Sequence, residues 1–194
     1  MTKNIAIVMP TGDTIHADTA MSLARMIAMD RMNQFAFINP RCSTIAKGRW
    51  MGVKAALEMD PDFILFIDSD MVFPFNAVHM LMNHGQMMVS GHCTTRREPI
   101  HGVSRDKDGN FMDFTGEYGI QAVETTGLAF CLVHRSLFKA KHEPWFETSF
   151  DAERERPWLT EDEHFCKIVR STGTPIYVDV DLKIGHIGTV TYGL

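Results

Sequence analysis

The sequence predicts an α/β fold in one domain, with a mostly parallel sheet and helices on both of its faces. Apolar runs rich in β-branched and aromatic residues recur between turn-forming residues, at 5–9, 35–38, 63–67, 87–89, 129–133 and 176–178. Helical spacing of apolar residues at 18–31 and 44–58 separates the first of these runs. Strands that alternate with helices typically form a parallel sheet with short, right-handed connections.

The elements follow one another in a simple order. Strand 5–9 leads to helix 18–31, and strand 35–38 leads to helix 44–58. Strand 63–67 ends at two acids, at the sheet edge where ligands of such folds bind. The segment 98–127 contains five glycines and is predicted to be a loop or short hairpin over that edge. A last helical pattern after Thr160 leads to strand 176–178.

Composition restricts the classes of function. The chain has 194 residues, 45% of them hydrophobic, which is enough for a full core. A net charge of −5 excludes a general electrostatic attraction to nucleic acid or to an anionic membrane. Neither a signal-peptide apolar region nor a membrane-spanning run is present, so we expect a cytoplasmic protein. The four cysteines lack a CxxC pair and are expected to be reduced thiols.

The stretch FILFIDSDMVFP places two carboxylates just past an apolar strand. Residues i and i+2 of an extended segment project to the same side, so Asp68 and Asp70 can face one point while Ser69 turns away. Oxygen ligands suit Mg²⁺ or Mn²⁺, and carboxylates together with substrate phosphates commonly hold such ions. The alternative is that one of these acids caps the following helix or stabilises the turn before Pro74.

A histidine between glycines, in the stretch IGHIG, follows the last predicted strand. Imidazole is an acceptable ligand for Mn²⁺, and the flanking glycines Gly185 and Gly188 would allow the backbone to approach a ligand closely. His186 is therefore a candidate third metal ligand, with a structural or surface histidine as the alternative.

Four blocks of sequence, in their order, resemble the GT-A glycosyltransferases, in particular the family 2 type and its small bacterial and phage relatives. They are IAIVMPTGDTIH, CSTIAKGRWMGVKAALEMDPDFILFIDSDMVFP, GLAFCLVHRSLF and TEDEHFCKIVRSTGTPIYVDVDLKIGHIG. The resemblance covers nearly the whole chain. It implies a single GT-A domain, with residues 1–97 as the half that binds nucleotide-sugar and metal, and 98–194 as the acceptor-side half.

The resemblance also implies an activity and its machinery. It implies transfer of a single sugar, with inversion, from a nucleotide-diphosphate sugar whose diphosphate is bridged by Mn²⁺ or Mg²⁺, a UDP-sugar being favoured. Asp70 matches the acid that binds the metal directly, Asp68 the acid nearer the ribose and a metal-bound water, and His186 the late metal ligand. Glu161 and Asp162 match the family's Glu-Asp pair, in which the aspartate is the usual catalytic base; the same acids also suit a helix N-terminus.

Nucleotide-binding candidates lie at the ends of the first and third strands and in the second helix. Asp13 could accept a hydrogen bond from the base or a sugar hydroxyl, and Lys47 and Arg49 could pair with uracil, ribose or diphosphate. Turn formation and solvated helix charges are the alternatives. The full set of candidates is Pro10, Thr11, Asp13, Lys47, Arg49, Asp68 and Ser69.

Acceptor-side candidates are fewer. Arg96 and Arg97, in the stretch HCTTRREPIHG, could contact the acceptor or the donor phosphates, or form a solvated basic loop. Trp145 could stack on a sugar ring or belong to the core. The absence of a Gln-X-X-Arg-Trp motif makes a processive synthase unexpected. A glycan, a lipid-linked sugar, a protein and a hydroxymethylated base of phage DNA are the candidate acceptors.

Two other functions compete with this hypothesis. A nucleotidyltransferase or nucleotide-sugar hydrolase also uses paired acids and a divalent ion, but MPTGDTIH has one glycine and no lysine, unlike a phosphate-binding loop. A catalytically inactive nucleotide-sugar-binding module would keep the fold without turnover. The presence of Asp68, Asp70, Asp162 and His186 argues against the inactive module.

Overall fold

The structure is a computed structural model that describes residues 2–96, 99–139, 142–151 and 156–188. Its strands are β1 Asn4–Val8, β2 Gln34–Ile38, β3 Phe63–Ile67, β4 Met71–Val72, β5 Met88–Cys93, β6 Ile120–Val123, β7 Phe130–His134, β8 Ser149–Asp151, β9 Arg156–Leu159 and β10 Ile176–His186. Its helices are α1 Ala17–Met29, α2 Ile45–Glu58, α3 Ala77–Asn83 and α4 Glu161–Ser171, with a 3₁₀ turn at Arg135–Leu137.

The predicted α/β class is confirmed, and the central sheet is mixed. Seven of its strands run in the order β2-β1-β3-β7-β5-β10-β4, with β6 also paired to β10, while β8 and β9 form a separate hairpin. The pairs β1–β2, β1–β3 and β5–β10 are parallel, whereas β7 lies antiparallel between β3 and β5. Strands β4 and β6 pair antiparallel with β10. The apolar run at 129–133 predicts a strand but carries no information about its direction.

The core divides into two clusters along β1. Ile5 and Ile7 pack with residues of α1 and α3, whereas Ala6 and Val8 pack with residues of α2 and α4. Successive side chains of a strand point to opposite faces, so this alternation assigns the two clusters to opposite sides of the sheet.

Helix α2 lies unusually close to β1 because glycines face the strand. A Cβ atom at Gly52 would lie 2.3 Å from Cγ1 of Val8, and one at Gly48 would lie 2.9 Å from Cβ of Pro10. Contacts that short do not occur between carbon atoms, so only glycine permits this packing. Arg49 follows Gly48 in the helix and is thereby carried close to the sheet.

Strand β10 is much longer than the predicted strand 176–178. Its pairing with β5 shifts register between Asp179 and Lys183, and the Asp179 carboxylate accepts hydrogen bonds from the backbone N–H groups of Asp181 and Leu182 there. Past this bulge the strand resumes and pairs with β4, with His186 opposite Met71. The bulge thus lets one strand reach from the core to the region of the two aspartates.

Among the helices of the described residues, none has both the length and the apolar character needed to cross a membrane.

Candidate active site

A buried arginine connects three of the acids that the sequence singles out. The Arg49 side chain is 2% exposed, and its Nη2 atom lies 3.0 Å from Oδ1 of Asp68. Its Nη1 atom donates to both Glu161 and Asp162. These contacts join α2, the loop after β3 and the N-terminus of α4 at one point. A buried cation is stable only when carboxylates compensate its charge, and here three do so.

The N-terminal cap of α4 positions Asp162. Thr160 and Glu163 form a capping box, with the Thr160 hydroxyl accepting from the Glu163 N–H and the Glu163 carboxylate accepting from the Thr160 N–H. In the first turn that this start fixes, Asp162 Oδ2 accepts a 3.2 Å hydrogen bond from the backbone N–H of Leu128 while Oδ1 accepts from Arg49. Both carboxylate oxygens are therefore held in place.

Burial raises the pKa of Asp162 to about 7. Arg49 opposes this effect, while the negative charges of Glu161 and Asp68 add to it. A carboxylate that titrates near neutrality is well matched to accept a proton from a hydroxyl group. Asp162 also lines a cavity of about 220 Å³, together with Thr126, Gly127 and Phe111.

Asp70 and His186 form a second group of contacting side chains, separate from the cluster around Arg49. Nε2 of His186 lies 3.5 Å from Oδ2 of Asp70, and Nδ1 of the same ring lies 2.8 Å from the carbonyl oxygen of Thr94. The backbone N–H of Ile187 donates to the Asp70 carbonyl at 2.9 Å, which fixes the two chain segments together. Burial opposes ionisation of Asp70, but His186 and Arg96 outweigh it and lower its pKa. The hydrogen bond from His186 to Asp70 in turn raises the pKa of the histidine.

Arg96 reaches this second group from the loop after β5. Its Nη1 atom lies 2.7 Å from Oδ2 of Asp70, and its side chain is 51% exposed. The predicted basic loop thus supplies a cation that pairs with Asp70. Arg97, the other arginine of that prediction, lies outside the described residues.

The structure does not bring the three predicted metal ligands together. Among residues 2–96, 99–139, 142–151 and 156–188, no group of three or more His, Cys, Asp and Glu side chains is placed to hold a metal ion. Asp68 does not join Asp70 and His186, because its carboxylate turns to Arg49. Asp70 Oδ2 and His186 Nε2 do fit as two ligands of one divalent ion. The bond from Nδ1–H to a carbonyl leaves Nε2 as the nitrogen available to a metal, a common arrangement for ligating histidines.

The nucleotide candidates fall into two groups. Pro10 and Thr11 are buried where the loop after β1 contacts the loop after β2: the Thr11 N–H donates to Pro40, and the side-chain amide of Asn39 donates to the Thr11 hydroxyl. Asp13 and Lys47 are exposed. Ser69 is half-buried, and its carbonyl accepts from the His16 N–H at 3.0 Å.

Two of the predicted site residues lie in buried positions. The Arg49 guanidinium is buried against three carboxylates. Trp145 is 2% exposed and packs against Phe138 with its ring nitrogen donating to the Lys139 carbonyl, so its faces are not open to a sugar. Apolar packing took this aromatic residue into the core, the alternative that the sequence left open.

Sequence reasoning missed the backbone groups of the site. The Thr94 carbonyl that orients His186 and the Leu128 N–H that orients Asp162 have no side-chain signature. The pairing of Arg49 with the acids had only one signal, its position between two glycines of a helix.

Comparisons with known proteins inform the fold. No family model matches the chain, and a search of curated proteins gives no match. The crystal structure of A197 from STIV matches 96% of this chain and 86% of its own, with a TM-score of 0.65 and 20% sequence identity. At that identity the likeness concerns architecture alone, and this chain therefore shares its fold with A197 from STIV.

Proposed function

We propose that this chain is a metal-dependent glycosyltransferase that moves a single sugar from a nucleotide-diphosphate sugar, a UDP-sugar being favoured, to an acceptor hydroxyl with inversion. The observation that carries the proposal is a pair of aspartates with opposed environments. The pKa of Asp70 is lowered beside His186, whereas the pKa of Asp162 is raised to about 7 beside a cavity. Titratable groups pushed apart in this way commonly divide acid, base and ligand roles between them.

Asp162 has the geometry of the base. As the acceptor oxygen bonds to the anomeric carbon, the bond from that carbon to the diphosphate oxygen breaks, and the leaving oxygen keeps the electron pair. The acceptor proton passes to a carboxylate oxygen of Asp162, which Arg49 and Leu128 hold in orientation. The neighbouring cavity, about 220 Å³, gives the acceptor hydroxyl access to that carboxylate.

Asp70 and His186 would hold Mn²⁺ or Mg²⁺, with donor oxygens completing the coordination. A metal bound there would supply charge that neutralises the departing diphosphate. The Arg96 guanidinium lies on Asp70, close enough to the proposed metal ligands to contact a donor phosphate. Asp68 and the proposed base contact the same Arg49 guanidinium, which supports the ribose role for Asp68 rather than direct metal binding.

The acceptor and the cellular location belong to the same proposal. The resemblance suggests a glycan, a lipid-linked sugar, a protein or a hydroxymethylated phage DNA base as acceptor, in the cytoplasm of a bacterial or phage-infected cell. The net charge of −5 favours an acceptor that is not a long polyanion.

The first test is a thermal-shift panel of UDP-, GDP-, CMP- and dTDP-sugars with and without Mn²⁺. A ligand that binds only the native state raises the melting temperature, so we expect a Mn²⁺-dependent shift with one nucleotide family. Asp70→Ala should abolish that shift. Asp162→Asn should keep it and lose transfer to any acceptor that the wild type glycosylates.

Two outcomes would count against the proposal. A shift with nucleoside triphosphates and release of pyrophosphate without an acceptor would indicate a nucleotidyltransferase. Donor binding without turnover, and insensitivity to Asp162→Asn, would indicate an inactive binding module.

A further inference from the structure

A second cavity, of about 490 Å³, opens on the side of the 100–115 segment that faces β5 and β10. His92 and Thr94 of β5 and Lys183 of β10 line it from the sheet. His92 and Lys183 are register partners in the two parallel strands, so their side chains lie next to each other on the same face. This volume lies within the range of small-molecule sites.

The cavity contains a cationic side chain that lacks a counter-charge. Among the described residues, no carboxylate lies within ion-pair distance of the exposed Lys183. Asp113, the acid in the lining, already accepts from the N–H and hydroxyl of Thr115. An ammonium without a carboxylate partner, next to an imidazole ring that lines the same cavity, favours a ligand that brings oxygen atoms and negative charge.

Four apolar side chains also line this cavity. Ile100, Met112 and Phe114 line the cavity, as does Phe111. The Phe111 ring lies 3.7 Å from the ring centroid of His101 and 3.7 Å from the guanidinium carbon of Arg105. These surfaces suit a hydrocarbon or ring-shaped body attached to the anionic group.

Phe111 also connects this cavity to the catalytic region. The same residue lines the 220 Å³ cavity that contains Asp162. On the other side, Thr94 lines the larger cavity, and its backbone carbonyl accepts a hydrogen bond from Nδ1 of His186. Phe111 and Thr94 thus connect the larger cavity to the proposed base and to one proposed metal ligand, neither of which lines it.

We propose that the cavity bounded by His92, Lys183 and Phe111 binds an anionic group of the acceptor, a phosphate or a carboxylate, with the acceptor body against the apolar lining and its reactive hydroxyl directed to Asp162. This inference rests on the proposed glycosyltransferase activity. It narrows the acceptor to a compact molecule, or the end of a larger one, that carries a single anionic group next to a ring or chain.

The test uses three probes on the full chain labelled with ¹³C at histidine: phenyl phosphate, benzoate and neutral benzyl alcohol. Saturable shifts of the His92 and His101 ring signals, assigned with His92→Gln, are expected for phenyl phosphate or benzoate and not for benzyl alcohol. The anion that binds more tightly identifies the group as phosphate or carboxylate. Lys183→Gln should weaken that binding about tenfold, whereas Lys167→Gln, an exposed lysine of α4 that does not line the cavity, should not change it.

Donor binding separates this inference from the proposed function. The Mn²⁺-dependent shift with the nucleotide sugar should be the same in Lys183→Gln and in the wild type. Loss of that shift in Lys183→Gln would assign the cavity to the donor and overturn the inference, as would the absence of saturable anion binding. If the anion binds but no nucleotide sugar does, the glycosyltransferase proposal fails instead.

Discussion

Arg49 of α2 donates to Asp162 at the first turn of α4, and the same guanidinium contacts Asp68 and Glu161. The proposed base is therefore one of three carboxylates around a single buried cation. This relationship makes the charge of Arg49 as important to folding as to the orientation of the base.

Replacing Arg49 with methionine should destabilise the protein by about 3–5 kcal/mol at pH 8, because it leaves buried carboxylates without a counter-charge. Arg49 lowers the pKa of Asp162, which burial raises, so its removal should move the pKa of this carboxyl further above the unfolded value. A carboxyl whose pKa is raised on folding stabilises the folded state at low pH and loses that contribution as the pH rises, so the penalty should be smaller at pH 5. Urea unfolding at both pH values measures it.

The matched control is Arg170→Met. Arg170 pairs with Glu124 at 2.7 Å, but both side chains are more than a third exposed, and such pairs contribute about 0–1 kcal/mol. Similar losses for the two variants, or a loss for Arg49→Met that does not vary with pH, would contradict the role assigned to Arg49.

The rate of sugar transfer should depend on the ionisation of Asp162. Because only the ionised carboxylate accepts a proton, kcat/KM should rise with pH and level off above a pKa of about 7. The pH profile of initial rates at saturating Mn²⁺ checks this. Residual activity of Asp162→Asn should lack the inflection; an unchanged inflection in that variant would assign it to another group.

Arg96→Gln should raise the affinity for Mn²⁺ and lower the affinity for the nucleotide sugar. The Arg96 guanidinium occupies Oδ2 of Asp70, so its removal should tighten binding of Mn²⁺ alone by about two- to fivefold, the range for breaking an exposed ion pair. The affinity for nucleotide sugar should fall, since a cation for the diphosphate is lost. Electron paramagnetic resonance of free Mn²⁺ measures the first effect, with Arg25→Gln as a surface control. Weaker Mn²⁺ binding in Arg96→Gln would refute the competition.

Gly52→Ala should destabilise the protein by about 1–3 kcal/mol, the usual cost of overpacking, because the added Cβ would lie 2.3 Å from Val8. Gly12→Ala is the control, since a Cβ there meets no atom within 4 Å. Thermal unfolding of both variants compares them. If Gly52→Ala unfolds at the temperature of the control, α2 does not lie as close to β1 as described.

The regular elements of the N-terminal part could be predicted because their signals are local. The helical period at 44–58 predicts α2, observed as Ile45–Glu58, and the apolar run at 63–67 coincides with β3. The second half of β10 could not be predicted in this way. Its exposed positions are charged, as at Asp181 and Lys183, and its extension depends on a bulge and on pairing with β4.

The candidate site shows the same limit. The sequence DSD identifies two acids, and their spacing predicts that both bind one metal ion. In the structure Asp68 turns to Arg49 and Asp70 turns to His186 and Arg96. This separation depends on where α2 and β10 lie in space, which no local pattern encodes.

The contacts of Arg49 also constrain the order in which parts of the protein can fold. Its partners Glu161 and Asp162 follow it by 112 and 113 residues, so the ion cluster closes a loop that spans more than half the chain. Contacts of such long sequence separation form slowly, because the chain loses the entropy of loop closure before it gains the interaction. During synthesis, α2 emerges well before its partners Glu161 and Asp162 have been made. Assembly of the buried cluster should therefore be a late folding event, and formation of the proposed base site should report that the whole sheet is in place.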